Sequence, residues 1–109
     1  LAMTVWLCAA VSGERANAST AADCAAFWRG VAAEQRAMPG LGISPETAET
    51  LARSFEELAS PDAATAERIS GYRLLYRGRI DGDPQSSALF RRISRRCDAL
   101  LAEQAAPSS

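Results

Sequence analysis

Histidine and lysine are both missing from this 109-residue chain, cysteine occurs three times, and aromatic residues make up only 6% of it. The lack of histidine removes the commonest general base and the commonest metal ligand together, so hydrolytic and zinc chemistry have little to build on. Without lysine there is neither a Schiff-base amine nor a serine–lysine pair, and the serines have no histidine to activate them. All twelve basic residues are therefore arginine, a usage that GC-rich coding explains before any demand for guanidinium chemistry. Long hydrophobic runs are missing too: the apolar stretch Leu1 to Val11 is about half of the roughly twenty residues a membrane-crossing helix needs.

What remains is an alanine-dominated chain with 48% hydrophobic and 23% charged residues. That is too apolar for a disordered segment, and its small side chains favour closely packed helices over strands. The apolar opening, a polar stretch at Ser12-Gly13-Glu14-Arg15 and the small-x-small triplet Ala16-Asn17-Ala18 together fit a secretory signal peptide. No Lys or Arg precedes the apolar run and Leu1 stands where a start Met belongs, so the expected leader is truncated at its N-terminus. A lipoprotein signal fits less well, because bulky Leu7 precedes Cys8. The sequon Asn17-Ala18-Ser19 straddles the expected cut and is discounted. The expected organisation is a signal peptide over residues 1–18, a helical domain over 19–106 and a tail over 107–109. About 90 residues then form the domain, near the lower end of what one core supports.

Ser44-Pro45-Glu46, Ser60-Pro61-Asp62 and Asp83-Pro84-Gln85 repeat one device, a capping residue followed by a proline suited to the first helical position. Thr20, with Asp23 three residues on, marks a fourth start. Four helices are expected: Ala21–Met38, Pro45–Ala59, Pro61–Arg79 and Pro84–Gln104. The helical spacing places Cys24, Phe27, Trp28, Val31 and Met38 on one stripe, and Ala48, Leu51, Ala52, Phe55 and Leu58 on another. The third stripe is Ile69, Tyr72, Leu75, Tyr76 and Ile80, weakened by Gly71 and Gly78 and leaving Leu74 outside. The fourth is Leu89, Phe90, Ile93, Cys97, Leu100 and Leu101. Ser60 before a proline turns the chain sharply between the second and third helices, and Asp81-Gly82 turns it before the fourth.

Short connections predict an all-α, antiparallel four-helix bundle running up-down-up-down, with the start of the first helix beside the far end of the last. Cys24 and Cys97 occupy those two places, and Cys8 leaves with the leader. In an oxidising compartment the remaining pair has only itself, so a Cys24–Cys97 disulfide is expected. Periplasmic or secreted localisation follows.

Candidate sites are few. Eight arginines lie between Arg68 and Arg96 against two acids, Asp81 and Asp83. Arg91, Arg92, Arg95 and Arg96 share the arc opposite the apolar stripe of the last helix, and Arg73 and Arg77 sit one turn apart on the third. These six form a candidate surface for an unknown protein or an anionic surface. A solvated face whose arginines pair with acids on the first two helices explains the same pattern without a partner. Nucleic acid is not expected at a formal charge of -1 and with export, nor is stable membrane insertion after cleavage.

Asp81-Gly82-Asp83 opens like a calcium loop but fails further on, where Arg92 stands at the twelfth position in place of a glutamate; no metal or other cofactor is expected. Arg91-Arg92-Ile93-Ser94 looks like a kinase target, yet Ile93 belongs to the core. Glu56-Glu57 diverge by about 100° around a helix and do not converge on one substrate. There is no Cys pair followed by His for covalent haem attachment, and Phe27, Trp28, Phe55 and Phe90 read as core. The expectation is a non-enzymatic interaction module using an Arg-rich face. The alternative is a carrier of a small apolar ligand inside the bundle.

Overall fold

The computed structural model describes residues 2–59 and 66–105, with side-chain surroundings from Thr20 onward. These residues form four α-helices and no strand: α1 (Ala2–Ala37), α2 (Glu46–Leu58), α3 (Ala66–Ile80) and α4 (Pro84–Ala105), with a short 3-10 turn at Pro39–Leu41. The expected all-helical class is observed. The expected helix start and turn at Ser60-Pro61-Asp62, between the second and third helices, and the expected tail over 107–109 lie outside the described residues.

One boundary is corrected. The first helix does not begin near Ala21 with Thr20 as its cap; it runs unbroken from Ala2 to Ala37, which makes Thr20 an interior position. No proline falls between Leu1 and Met38, and alanine has the highest helix propensity of all. Ser12-Gly13 is too weak an interruption to stop propagation, since a lone glycine costs only about 1 kcal/mol against alanine. The helix stops just before Pro39-Gly40, close to the expected end at Met38, and Gly42, with φ 68°, closes the following turn through its N–H to the Pro39 carbonyl at 3.2 Å.

α1 is the centre of the molecule. It packs against α2, α3 and α4, and α3 also packs against α4, while α2 makes no comparable contact with α3 or α4 among the described residues. A helix with neighbours on several sides must be apolar or small on several sides. Accordingly Ala21, Ala22, Cys24, Ala25, Ala26, Phe27, Val31 and Ala32 are all buried. The α1–α3 approach is close enough that a Cβ at Gly30 would lie 2.8 Å from the Tyr72 Cβ and 3.0 Å from both the Arg73 nitrogen and the Ile69 carbonyl oxygen.

Each outer helix contributes a narrower stripe. Ala48, Ala52 and Phe55 are buried from α2, Tyr76 from α3, and Phe90, Ile93, Cys97 and Leu100 from α4. Leu58, Ile80 and Leu89, expected inside, lie toward solvent, as does Leu74, which was expected outside. Rings fill the junction of α1, α3 and α4: Phe27 meets Trp28, Tyr72 and Phe90 at centroid distances of 4.9, 5.4 and 5.0 Å, and Tyr76 meets Phe90 at 5.8 Å. Full burial of a phenylalanine contributes about 1.5–3 kcal/mol, so Phe27, Phe55 and Phe90 supply much of the holding energy of so small a core.

The helix ends follow the local chemistry of the sequence. Ser44 Oγ accepts the Glu46 backbone N–H at 3.3 Å at the start of α2. At the α3–α4 junction Gly82 takes φ 84°, its N–H bonds to the Arg79 carbonyl at 3.0 Å, and the Asp83 N–H bonds to the Gly78 carbonyl at 2.9 Å, the pair of bonds that defines a Schellman ending. Asp83 then serves the next helix, accepting the Ser86 backbone N–H at 2.8 Å and the Ser86 hydroxyl at 2.6 Å. These two bonds, the hydroxyl one first, hold the Asp83 carboxyl below its ordinary value of 3.8.

Cys24 and Cys97 meet at disulfide distance. Their sulfurs are 2.10 Å apart, their Cα atoms 5.8 Å apart, and both side chains are fully buried. The cysteines therefore join α1 to α4 across 73 residues of sequence.

Candidate functional site

The close crossing at Gly30 brings α3 over the side of α1 that carries Glu34. Although Glu34 is only 3% exposed, it is satisfied by two arginines one turn apart. Arg73 Nε donates to Oε1 at 2.7 Å, Arg77 Nε to Oε2 at 3.2 Å, and Arg77 Nη2 to Oε1 at 3.0 Å. The Arg77 bonds foremost, then those of Arg73, hold the Glu34 carboxyl below its ordinary value of 4.5 against the opposing effect of burial, and Glu34 in turn raises Arg77. The carboxylate is thus charged and fully engaged. Arg73 and Arg77 tie α3 to α1.

A second carboxylate works at the other end of the same interface. Asp23 accepts the Tyr72 hydroxyl at 2.6 Å on Oδ1 and Arg96 Nη2 at 2.8 Å on Oδ2, so α1, α3 and α4 meet on one residue. Asp23 precedes Cys24, and Arg96 precedes Cys97, so an ion pair and the sulfur pair sit side by side. Burial first, and then the hydrogen bond and charge of Asp23, push the Tyr72 phenol well above its ordinary value of 10.0.

Most other arginines are also engaged. Arg29 pairs bidentately with Glu56 at 3.1 and 2.7 Å, Arg36 pairs with Glu49, and the Arg79 guanidinium stacks over the Phe90 ring at 4.0 Å. The Arg29 hydrogen bond holds the Glu56 carboxyl below its ordinary range. Arg91, Arg92 and Arg95 differ. They are exposed, they lie opposite Phe90, Ile93, Cys97 and Leu100 around α4, and among the described residues no hydrogen-bond, ion-pair or ring partner faces them. Three guanidinium groups, each able to grip a carboxylate or phosphate with two parallel N–H bonds, are presented on one rigid helix.

Of the six arginines marked by the sequence, then, Arg73, Arg77 and Arg96 are drawn into the fold and Arg91, Arg92 and Arg95 remain outward. Arg73, Arg77 and Arg96 do pair with acids on the first helix, as the solvated-face reading had it, but the sequence-based reading did not single out Glu34 and Asp23 as the acceptors. A signal was present: Glu34 continues the buried spacing of Phe27 and Val31, where an acid requires a cation, and Arg73 and Arg77 offer two at the right interval. Also missed was a shallow depression between the helices, lined by Asp23, Arg68, Gly71, Tyr72, Leu75 and Leu89. No family model, curated protein or solved structure matches the chain.

Proposed function

We propose that this chain is an exported, non-enzymatic binding module that docks an anionic partner through the outer face of α4. The division among its arginines carries the proposal: Arg29, Arg36, Arg73, Arg77 and Arg96 each meet a carboxylate in the chain, whereas Arg91, Arg92 and Arg95 point to solvent without one among the described residues. In this reading residues 1–18 are a signal peptide and the rest acts in the periplasm or outside the cell. The cysteine pair is compatible with that destination, since such links persist where thiols are oxidised, and no helix among the described residues is long and apolar enough to cross a membrane. Neither a cofactor nor nucleic acid enters this reading.

The helices are proposed to run up-down-up-down. Support comes from the order of their contacts. Arg36–Glu49 and Arg29–Glu56 run in opposite order along α1 and α2, Tyr72–Asp23 and Arg77–Glu34 in the same order along α3 and α1, and Phe27–Phe90 and Cys24–Cys97 in opposite order along α1 and α4. The carrier alternative has no comparable support, because rings occupy the junction of α1, α3 and α4 where a ligand would lie.

The test is capture of partners from a periplasmic extract by the wild type and by an Arg92→Glu, Arg95→Glu variant of equal thermal stability. Salt-sensitive partners retained by the wild type and lost by the variant are expected. Equal recovery of every partner refutes the assignment of the face.

A further inference from the structure

The depression beside the arginine face gives the partner a second requirement. Its floor is apolar, built from Leu75, Leu89 and the ring of Tyr72, and it is open at Gly71, where a Cβ would meet nothing within 4 Å. Leu89 is 40% exposed although it belongs to the apolar stripe of α4. The one carboxylate in the lining, Asp23, is already occupied by Tyr72 and Arg96, and Arg68 also lines the depression. On α4, Leu89, Arg92 and Arg96 follow at intervals of three and four residues, which places them along one side of the helix. Arg92 therefore lies one turn from Leu89, which lines the depression, and next to the outward arginines Arg91 and Arg95.

We infer that this composite surface binds an acidic peptide segment carrying an apolar anchor, its carboxylates meeting Arg91, Arg92 and Arg95 while the anchor enters the depression at Leu75 and Leu89. The inference rests on the binding-module reading above and specifies its partner. Charge complementarity selects the acidic residues, and the juxtaposed apolar floor selects the anchor. A lipid surface fits less well. The apolar side of α4 is consumed by the core through Phe90, Ile93, Cys97 and Leu100, so this helix has no apolar face left to insert among acyl chains.

The test uses two fluorescein-labelled acidic peptides that differ only in a central leucine or alanine, with binding to the full chain followed by anisotropy. The leucine peptide is expected to bind about tenfold more tightly, the order of affinity gained when a leucine is removed from water in a partly open site. Gly71→Leu fills the depression from an open helical position and improves helix propensity, so it should fold normally and abolish the difference between the peptides. Arg92→Glu, Arg95→Glu should weaken both peptides. Equal affinity of the two peptides for the wild type, or a leucine preference that survives Gly71→Leu, overturns the inference; if the arginine variant still weakens both, the binding face itself stands. No binding of either peptide overturns both. Binding to anionic phospholipid vesicles more tightly than to the leucine peptide overturns the inference in favour of a membrane partner.

Discussion

Replacing Cys24 and Cys97 by alanine removes the covalent tie between α1 and α4, and the sequence separation sets the size of the effect. Closing a loop of 73 residues restricts the unfolded chain by about 15 cal/mol/K on the chain-entropy model, or about 4.4 kcal/mol at 25 °C. A domain of this size has a net stability of roughly 5–15 kcal/mol, so the loss is a large fraction of the total. Each kcal/mol moves the midpoint of a domain this small by roughly 4–8 °C, which predicts a fall of roughly 18–35 °C. The neighbouring Asp23–Arg96 pair and the Phe27–Phe90 contact involve neither sulfur and should survive the substitution. The variant should therefore keep its helical far-UV signal in the cold and melt earlier. The bond needs both sulfurs, so Cys24→Ala, Cys97→Ala and the double variant should all melt at about the same temperature. Melts followed by circular dichroism under non-reducing conditions, with thiol titration of the wild type, check this. A fall of less than about 5 °C, or single-variant losses that add up in the double variant, would refute the reasoning.

Other substitutions probe the interfaces. Gly30→Ala should destabilise the protein by about 1–3 kcal/mol in urea unfolding, because the added methyl meets the α3 backbone, whereas Gly71→Ala, in open space, should stabilise it by about 0.5–1 kcal/mol. On acidification, stability should drop as the pH falls below the ordinary carboxylate range. Glu34, Glu56 and Asp83 have lowered values in the fold, so the stability they confer is complete above their unfolded values and disappears as they protonate in place. Glu34→Gln should flatten that acid limb, and an unchanged limb would show that the Arg73–Arg77 grip carries none of it. On the alkaline side the raised Tyr72 phenol works in the opposite sense. Its contribution is complete below pH 10.0 and fades above it, and Tyr72→Phe should remove that decline in pH-resolved thermal melts.

The helix count, the stripes of α2 and α4 apart from Leu58 and Leu89, and the meeting of Cys24 with Cys97 were legible because each rests on short-range spacing or on chain geometry. Asp83-Pro84 and Ser44-Pro45 marked their helix starts for the same reason. The start of α1 was not legible, since a cleavage pattern at Ala16-Asn17-Ala18 and a capping residue at Thr20 say nothing about whether the intervening backbone can remain helical, and with no proline there it does. The fates of the arginines were hidden for a different reason. Arg73, Arg77, Arg91, Arg92, Arg95 and Arg96 are alike in one dimension, and what separates them is whether Glu34 or Asp23 comes within reach, a tertiary fact set by the close crossing at Gly30. The exposure of Leu89 was missed because a helical stripe specifies direction but not how far a neighbouring helix extends to cover it.

The central position of α1 has a consequence for how the molecule opens. Sulfur and the Asp23 junction bind α4 to α1, the shared turn at Asp83 binds α4 to α3, and α3 grips α1 through Glu34, so these three helices form a closed mechanical circuit. Among the described residues, α2 packs substantially against only one member of it, α1. The amides of α2 should therefore exchange with solvent through detachment of that single helix, at lower cost than rupture of the circuit, leaving the surface on α4 intact while one quarter of the bundle is away.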